Sequence, residues 1–358
     1  MQFSSRWADS NVLVTGGASF IGSHLVDKLV TLGANVTVVD NLSSGKMENL
    51  HKSRKKIKFI KKDLEYICKQ DIYDLFKDQE KVFHLAAVHG GRGFISHHPA
   101  DVCSNFAIDH HVFEACSNSN VENVIFASTA CVYPTKLQQE IGSEYKLREQ
   151  DSNATNLNGF MSADIEYGWG KLMGEVQMIS FKKQYGLKGC PLRFVTAYGP
   201  REDETHAIIA LIYKAIKKTN PYPIWGNGQQ ERDFTYVEDI VEGSLLAAEN
   251  VYDCTPINLG TGKKYKIIDV VKMIFDILGW EVPKFQFENS KPVGPLSRAL
   301  DNSRAKEILG WRPRFKLQDG LAQTIDWYMK NHKLEGQKAS SDYDMEALVK
   351  HKRILENQ

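Results

Sequence analysis

The first forty residues contain the pattern that most restricts the fold. A short apolar run, NVLVT at residues 11–15, ends in Gly16 and Gly17, and an amphipathic stretch follows over residues 21–33. A second β-branched run, NVTVVD, occupies residues 35–40. This order predicts a strand, a glycine turn, a helix and a second strand. A helical connection of this kind makes the two strands parallel neighbours in one sheet.

The same alternation continues to about residue 198. The runs KIKFIKKDL, KVFHLAAV, NVIFAST and GCPLRFVTAY predict further strands, and helical stretches lie between most of them. The fold class expected is therefore α/β, with a doubly wound, Rossmann-type parallel sheet covered by helices on both faces. Beyond residue 198 the pattern changes to that of a smaller mixed α/β part.

Bulk properties argue against several kinds of partner. The chain has 45 basic and 44 acidic residues and a formal net charge of +1, so overall charge does not favour nucleic acid. No apolar run approaches the roughly 20 residues that a membrane helix needs, and the N-terminal segment does not resemble a secretion signal. The six cysteines lack zinc-like spacing. We therefore expect a cytoplasmic protein with reduced thiols, no metal and no membrane partner.

The glycine turn, TGGASFIG at residues 15–22, predicts a dinucleotide site. Backbone N–H groups and a helix N-terminus suit a pyrophosphate at such a turn. Asp40 ends the second strand, where a carboxylate accepts hydrogen bonds from both ribose hydroxyls and repels a 2′-phosphate, which favours NAD over NADP. Ser19 replaces the usual middle glycine, so its side chain must point away from the phosphates.

The predicted NAD contacts come from this turn, from the ends of the first strands and from one later helix. They are Gly16, Ser19, Phe20, Ile21, Gly22, Asp40, Asn41, Asp63, Leu64, Leu85, Ala86, Ala87, Tyr167 and Lys171.

Three residues form a candidate catalytic group. Tyr167 and Lys171 are one helical turn apart and share a helix face. Because a nearby ammonium lowers the pKa of a phenol, we expect Tyr167 to accept a hydroxyl proton near neutral pH and Lys171 to bind the nicotinamide ribose. Thr129 ends a predicted strand, at the edge where ligands bind in open α/β sheets. Without the nucleotide turn, the pair would be typical of a solvated helix face and the threonine of a strand cap.

The motifs TGGASFIGSHL, VVDNLSSG, FHLAA, STACVYP, YGWGK, YGP and GNGQQERDFTYVEDIV, in this order, resemble those of extended short-chain dehydrogenase/reductases that modify nucleotide sugars. The resemblance covers roughly residues 10–335. It implies an NAD-binding domain over residues 1–198, a nucleotide-sugar-binding domain over residues 199–335 that is interleaved with the first, and a polar tail over residues 336–358. It also implies a homodimer through the two helices that flank the sheet, one of which carries Tyr167 and Lys171.

The resemblance also restricts the reaction. Such enzymes begin by oxidising the sugar C4 hydroxyl to a ketone, which acidifies the C–H bonds at C3 and C5. The Asp-Glu pair of 4,6-dehydratases is replaced by Ala130 and Cys131. A cysteine there, and a GGxGF loop at residues 90–94, resemble GDP-mannose 3,5-epimerases and GDP-fucose synthases. In those families the cysteine works with a Lys or His after the YGP motif, which implies a Cys131–His206 acid–base pair.

Several reactions stay open at this point. The leading hypothesis is an epimerase that exchanges protons at C5, C3 or both, on a GDP- or UDP-linked sugar. The alternatives are a nucleotide-sugar 4-epimerase of the UDP-glucose or UDP-glucuronate type, a dehydratase, and a non-enzymatic nucleotide sensor. A lone Cys131 is otherwise typical of a small core residue, and His206 of a surface helix. The polar stretch between Tyr133 and Tyr167, which includes SNATNLN at residues 152–158, is longer than usual. It lies where the sugar should enter, which favours a substrate other than GDP-mannose.

The predicted substrate contacts lie in the GGxGF loop and in the later half of the chain. They are Gly91, Arg92, Thr196, Trp225, Arg232 and Arg298. The resemblance assigns the diphosphate to Arg232 and Arg298, and a guanidinium is always charged and bonds two oxygens at once. An ordinary surface salt bridge is the alternative for both arginines.

Overall fold

The computed structural model describes residues 5–154 and 162–332, in which strands and helices alternate along most of the chain. The strands are β1 (Asn11–Thr15), β2 (Asn35–Asp40), β3 (Ile57–Lys61), β4 (Lys81–His84), β5 (Asn123–Thr129), β6 (Gly189–Phe194), β7 (Ala197–Tyr198), β8 (Tyr222–Trp225), β9 (Glu231–Arg232), β10 (Thr235–Tyr236), β11 (Ile257–Leu259), β12 (Tyr265–Lys266), β13 (Phe285–Glu288) and β14 (Ser297–Arg298). The helices are α1 (Phe20–Thr31), α2 (Lys69–Phe76), α3 (Arg92–His97), α4 (Pro99–Val102), α5 (Asn105–Ser117), α6 (Ile165–Tyr185), α7 (Ala207–Ile216), α8 (Val237–Asn250), α9 (Ile267–Leu278), α10 (Ser303–Leu309) and α11 (Leu317–Asn331).

Seven parallel strands form the main sheet, in the order β3-β2-β1-β4-β5-β6-β11. The chain first winds outward from β1 to β3 and then outward from β4 on the other side. The connections that follow β1 and β4 therefore run in opposite directions and diverge between these two strands. Ligands bind at such a switch point in open α/β sheets. The predicted Rossmann-type doubly wound sheet is confirmed.

Three strand predictions keep their bounds, and the others need correction. The runs at residues 11–15, 35–40 and 123–129 are β1, β2 and β5 as predicted. The runs at residues 56–64 and 81–88 contain β3 and β4, which end earlier, at Lys61 and His84. The run at residues 189–198 is not one strand, because β6 ends at Phe194 and the short β7 pairs with β10 instead of the main sheet. The break turns the chain toward the later half of the molecule. Among the described residues, β11 is the only strand of that half that joins the main sheet.

Apolar helix faces cover both sides of the main sheet. Helices α1, α8 and α10 pack on one face with the buried Trp7 and Trp311, and α2, α5 and α6 pack on the other. A third apolar cluster joins α7, α9 and α11 to β8. Among the described residues, no helix is both long and apolar enough to cross a bilayer.

The small sheet β12-β9-β14 places two predicted substrate residues side by side. β14 pairs with β9 in parallel, with Arg298 opposite Arg232. Two guanidinium groups so close are favourable only where anions offset their charge. The later half of the chain therefore presents a concentrated positive charge beside the main sheet.

A buried ion pair anchors the segment that follows β5. Arg193 of β6 is fully buried and donates two hydrogen bonds to Glu175 of α6, at 2.9 and 2.6 Å. The same guanidinium donates to the Tyr133 hydroxyl and to the carbonyls of Glu149 and Ser152. A buried charge is tolerated only when paired and hydrogen-bonded. This network fixes residues 149–152 against the sheet.

We predict that Arg193→Met lowers the free energy of unfolding by about 3–5 kcal/mol, because it leaves the Glu175 carboxylate buried without its partner. Urea unfolding measures the loss. Lys272→Met is the control: its ion pair with Asp269 is exposed, so we expect a change within about 0.5 kcal/mol. A similar small change for both variants would contradict the prediction.

Candidate active site

The glycine turn leaves no room for a side chain at Gly16 or at Gly22. Gly16 has φ +69°, and a Cβ there would lie 2.7 Å from the backbone nitrogen of Ala86. A Cβ on Gly22 would overlap the carbonyl oxygen of Gly16. The N-terminus of α1 thus lies directly over the end of β1, the arrangement that suits a pyrophosphate. The residues present therefore fit a dinucleotide.

Ser19 is the N-cap of α1, and its hydroxyl is used inside the turn. Its Oγ donates to the carbonyl of Gly16 at 2.6 Å and accepts from the Gly22 amide at 3.4 Å. These bonds turn the side chain away from the mouth of the turn. A serine takes the place of the usual glycine here without blocking it.

A cleft of about 550 Å³, measured with its open mouth, runs along the ends of β1 to β4. It is lined by nine predicted cofactor residues: Gly16, Ser19, Asp40, Asn41, Asp63, Leu64, Leu85, Ala86 and Ala87. The other predicted residues of the turn, Phe20, Ile21 and Gly22, form the first turn of α1 and do not line it. The cleft is also lined by residues that were not predicted to contact the cofactor: Val39, Ser43, Ser44, Lys62, Glu65, Val88, His89 and Ile108. The polar run NLSSGK after Asp40 was the available signal for the two serines.

Asp40 has a structural task besides the predicted one. Its carboxylate accepts hydrogen bonds from the amides of Ala18, at 2.9 Å, and Leu42, at 2.8 Å. Burial raises the pKa of this carboxyl. Each oxygen can accept a second bond, so ribose binding stays compatible with the turn. Asn41 donates to Asp63 at 2.9 Å and joins the ends of β2 and β3.

Tyr167 and Lys171 lie in the first two turns of α6, as their spacing predicts. Tyr167 is half-buried, and Lys171 is 1 % exposed. The Lys171 ammonium lies 4.6 Å from the centre of the Phe126 ring and 3.9 Å from Asp109 Oδ1. Within the described residues it has no hydrogen-bond partner. This leaves its donors available to a ligand.

The predicted effect of Lys171 on Tyr167 is wrong for the protein alone. Burial raises the pKa of the Tyr167 phenol, and the neighbouring Cys131 and Asp109 raise it further. Burial also lowers the pKa of Lys171, against the opposing effect of Asp109. Removing water disfavours the charged form of both groups, and the spacing of two residues does not reveal that cost. The protein alone therefore favours the neutral phenol at Tyr167.

The end of β5 and the start of α6 are locked together. Thr129 Oγ1 accepts from the amide of Cys131 at 3.2 Å, which forms the turn after β5. The carbonyl of Cys131 then accepts from the Asp164 amide at 2.8 Å. Gly168 packs on the same carbonyl, and a Cβ there would overlap it. These contacts bring the predicted Thr129, Cys131 and Tyr167 to one place.

Three arginines and one carboxylate surround Cys131. Arg298 donates to Cys131 Sγ at 3.3 Å and to Asp164 at 2.9 Å. Arg92 contacts both oxygens of the same Asp164 carboxylate, at 3.0 and 2.9 Å. Burial, Arg298 and Arg92 lower the pKa of Arg232 to about 9. Three guanidinium groups against one carboxylate leave a net positive charge, which suits an anionic ligand.

His206 lies in a second group, around the GGxGF loop. It is the N-cap of α7, 3.3 Å from Asp203 Oδ1 and 3.9 Å from Glu202 Oε1. Burial alone would lower the pKa of His206, but these two carboxyls raise it to about 9. Burial raises the pKa of Glu202 to about 8. The ring of His89 is 6.1 Å away, and burial lowers its pKa to about 4.

The remaining predicted residues occupy the same region with different contacts. Gly91 packs against the backbone of Thr205, next to His206. Trp225 lies beside Gly93 of the loop, and the Thr196 carbonyl accepts from Thr235. No hydrogen bond joins Cys131 to His206 in residues 5–154 and 162–332, so their pairing stays a prediction. Residues 155–161 of the polar stretch and the tail over residues 336–358 lie outside the described residues.

Comparison with known proteins agrees with this geometry. The family model "NAD dependent epimerase/dehydratase family" matches residues 12–260. The chain is similar to a putative UDP-glucose 4-epimerase of Methanocaldococcus jannaschii, with 30 % identity over 90 % of this chain and 99 % of the relative. It is similar to GDP-mannose 3,5-epimerase 1 of Oryza sativa subsp. indica, with 30 % identity over 88 % and 81 %. The solved structure of Thermotoga maritima UDP-glucose 4-epimerase with UDP-glucose superposes with a TM-score of 0.79, 31 % identity and coverage of 89 % and 99 %.

We predict that Gly168→Ala lowers turnover and costs about 1–3 kcal/mol of stability, because the added methyl forces α6 away from the carbonyl of Cys131. Gly170→Ala is the matched control in the same helix, where a Cβ meets nothing nearer than 3.9 Å. It gains up to about 1 kcal/mol of helix propensity and keeps its turnover. Steady-state kinetics and urea unfolding give both values. Equal behaviour of the two variants would show that the contact does not align the site.

Proposed function

Because the chain is an enzyme of the NAD-dependent epimerase/dehydratase family, we propose that it epimerises a nucleotide-diphosphate sugar through a transient 4-keto sugar, with proton exchange at C5, C3 or both. The observation that carries this proposal is the contact of 3.3 Å between Cys131 Sγ and the Arg298 guanidinium. A cation beside a cysteine stabilises the thiolate, which is the basic form. A second base next to the sugar, besides Tyr167, is needed only if a carbon-bound proton is removed.

The first step uses the residues at the end of β5 and the start of α6. NAD, when bound, accepts a hydride from the sugar carbon and returns it, and it adds positive charge beside Tyr167. Gly16 and Gly22 would receive its pyrophosphate, and Asp40 and Lys171 its two riboses. Thr129 orients the C4 hydroxyl, and Tyr167 takes the hydroxyl proton.

Cys131 and His206 divide the proton exchange between them. With a pKa of about 9, His206 is an imidazolium at neutral pH and donates a proton. Cys131, with Arg298 beside it, accepts one. Epimerisation at a carbon beside a ketone requires removal of a proton from one face and its return on the other. An acid and a base on opposite faces of that carbon meet this requirement.

The arginine cluster favours a diphosphate as the anionic part of the substrate. Arg232 is nearly surrounded by protein, and the pKa of its guanidinium is depressed by burial and by its two arginine neighbours. A diphosphate relieves that repulsion with two negative charges and offers oxygens that guanidinium groups bind in pairs. The relatives named above use both UDP and GDP sugars. We propose a GDP- or UDP-linked hexose on the same grounds.

A simple 4-epimerase is the second candidate. Two of the three similar proteins described above carry the name UDP-glucose 4-epimerase. In that reaction the ketone turns over within the site, and no carbon-bound proton exchanges with solvent. Cys131 would then act only as a small packing residue, and Arg298 would serve the diphosphate alone.

The apolar strip on α5 and α6 supports the proposed homodimer. Trp169 and Met173 lie one turn apart on α6 and are each more than two-fifths exposed. Phe106 of α5, whose carbonyl accepts from Gln177 one turn further along, extends the strip and is 39 % exposed. Large apolar side chains gathered on one helical face are typical of an interface. We propose that a second copy of the chain covers this strip.

We predict that turnover in D₂O places deuterium on sugar carbons of the product. The panel is UDP-glucose, UDP-glucuronate and GDP-mannose, read by NMR and mass spectrometry. Cys131→Ala should lower the exchange rate by about 10²–10⁴-fold, because the base is lost. Cys103→Ala, at an exposed cysteine, should exchange normally.

The same experiment separates the alternatives. Inversion at C4 without deuterium selects the simple 4-epimerase. Loss of water selects a dehydratase, and loss of carbon dioxide selects a decarboxylase. A Tyr167→Phe variant that retained full function would argue for a non-enzymatic protein.

We predict that Met173→Glu converts the dimer to a monomer, because a charge at the centre of an apolar interface loses its solvation. Light scattering coupled to size exclusion reports the mass. Met329→Glu is the control, since Met329 is similarly exposed on α11 and outside the strip. A monomeric wild-type protein would rule out the proposed dimer.

A further inference from the structure

A buried line of polar groups runs beneath Tyr167 and Lys171 and joins four different elements. Thr15 of β1, His84 of β4 and Asp109 of α5 are fully buried, and Lys171 of α6 is 1 % exposed. Thr15 Oγ1 lies 2.8 Å from His84 Nδ1, and His84 Nε2 lies 3.0 Å from Asp109 Oδ1. Asp109 Oδ1 lies 3.9 Å from Lys171 Nζ. The line connects the glycine turn to the lysine.

A carboxylate at Asp109 sets the direction of the hydrogen bonds in this line, because a carboxylate can only accept. A neutral His84 with its proton on Nε2 donates to Asp109, and its Nδ1 then accepts from the Thr15 hydroxyl. The amide of Ala86 donates to the same hydroxyl oxygen at 3.2 Å. Burial lowers the pKa of His84, although Asp109 opposes the shift, so the ring is neutral.

The Asp109 carboxylate and the Lys171 ammonium are the two opposite charges at this place, and each has donor or acceptor capacity left over. Neither Asp109 Oδ2 nor Lys171 Nζ has a hydrogen-bond partner within the part of the chain that the structure describes. Gly174, one turn after Lys171, makes room for the carboxylate, because a Cβ there would lie 2.5 Å from Asp109 Oδ2. An unpaired charge in such a place is strongly unfavourable, because it has lost its contact with water. The two charges offset that cost for each other.

We propose that Asp109 is a positioning residue for catalysis: it keeps Lys171 in its ammonium form inside the protein, while His84 and Thr15 hold the carboxylate in place. This inference rests on the proposed function only in assuming that Tyr167 and Lys171 carry the oxidation of the sugar hydroxyl. The family resemblance accounts for Lys171 only through the nicotinamide ribose that it is expected to bind. The structure adds a counterion behind it.

The groups that face Lys171 and Asp109 limit what a pH measurement can report. His84 faces them from β4, His89 from the loop after β4, and Tyr167 from α6 itself. The pKa values of both histidines are lowered, that of His89 to about 4, so neither ring titrates in alkaline solution. Tyr167 also interacts with the Cys131 thiol. The informative quantity is therefore the difference between variants at alkaline pH.

The test compares Asp109→Asn with the wild-type enzyme in the full pH profile of turnover. Without the carboxylate, burial alone acts on Lys171, and the lysine loses its proton more easily as the pH rises. We expect turnover to fall about tenfold or more, and the alkaline limb of the profile to move to lower pH by about one unit or more. Asp239→Asn is the matched control: Asp239 is fully buried on α8 and accepts amides of residues 314 and 315. It should lower stability without moving the limb.

Two results would overturn the proposal. One is an Asp109→Asn enzyme whose turnover falls by the same factor at every pH, which indicates a packing role only. The other is an unchanged profile. An inactive wild-type enzyme on every nucleotide sugar would instead count against the proposed function.

A second measurement is independent of activity and of the folding of the variant. In wild-type protein with ¹⁵N-labelled lysine, the Lys171 Nζ resonance is assigned by its absence in Lys171→Met. We expect the chemical shift of an ammonium in mildly alkaline solution, without and with NAD. The shift of a neutral amine there would overturn the proposal even if Asp109→Asn did not fold.

Discussion

The contact between the end of β5 and the start of α6 is the constraint on which the site depends. The Asp164 amide donates to the carbonyl of Cys131, and Gly168 lies against that same carbonyl. A parallel sheet places Thr129 and Cys131 at its carboxyl edge, but the sheet alone does not position a helix over them. The two backbone contacts do so, and they bring Tyr167 to the same place as Thr129 and Cys131. The relative positions of these side chains therefore depend on close backbone contacts between the end of β5 and the start of α6.

Charge in this site is arranged around a single buried carboxylate. Asp164 is 2 % exposed and is the N-cap residue of α6. Its carboxylate accepts hydrogen bonds from both Arg92 and Arg298. Guanidinium groups this close repel one another, and the carboxylate between them reduces that repulsion. The same residue thus sets the helix position through its backbone and the arginine positions through its side chain. Loss of either function would disturb Cys131, which both arrangements contact.

The sequence predicted the parts of the fold that depend on local patterns. Alternating apolar runs placed β1 and β2 within their observed bounds, and the glycine turn and the spacing of Tyr167 and Lys171 predicted neighbours that the structure confirms. Local patterns did not predict the features that depend on contacts between segments distant in the sequence. The break after Phe194 depends on pairing between β7 and β10. The raised pKa of Tyr167 depends on burial by several elements.

The most informative residues carried no sequence signal at all. Asp164 and Asp109 belong to no motif, and each acquires its role only because the fold brings cations to it from other elements. A lone aspartate in a sequence is typical of a solvated surface. Buried beside a guanidinium or an ammonium, it determines which neighbouring group stays charged. Such roles become visible only once the distances are known.

Arg232 and Arg298 differ in the partners of their guanidinium groups. Arg298 donates hydrogen bonds to Gln138, Cys131 and Asp164, so its positive charge already lies beside the thiol and the carboxylate. Arg232 donates to two backbone carbonyls, those of Glu231 and Val293, and no carboxylate among the described residues pairs with it. Its charge is the less compensated of the two, which is why burial depresses its pKa. Arg232 therefore has more uncompensated charge to offer an anion than Arg298 has.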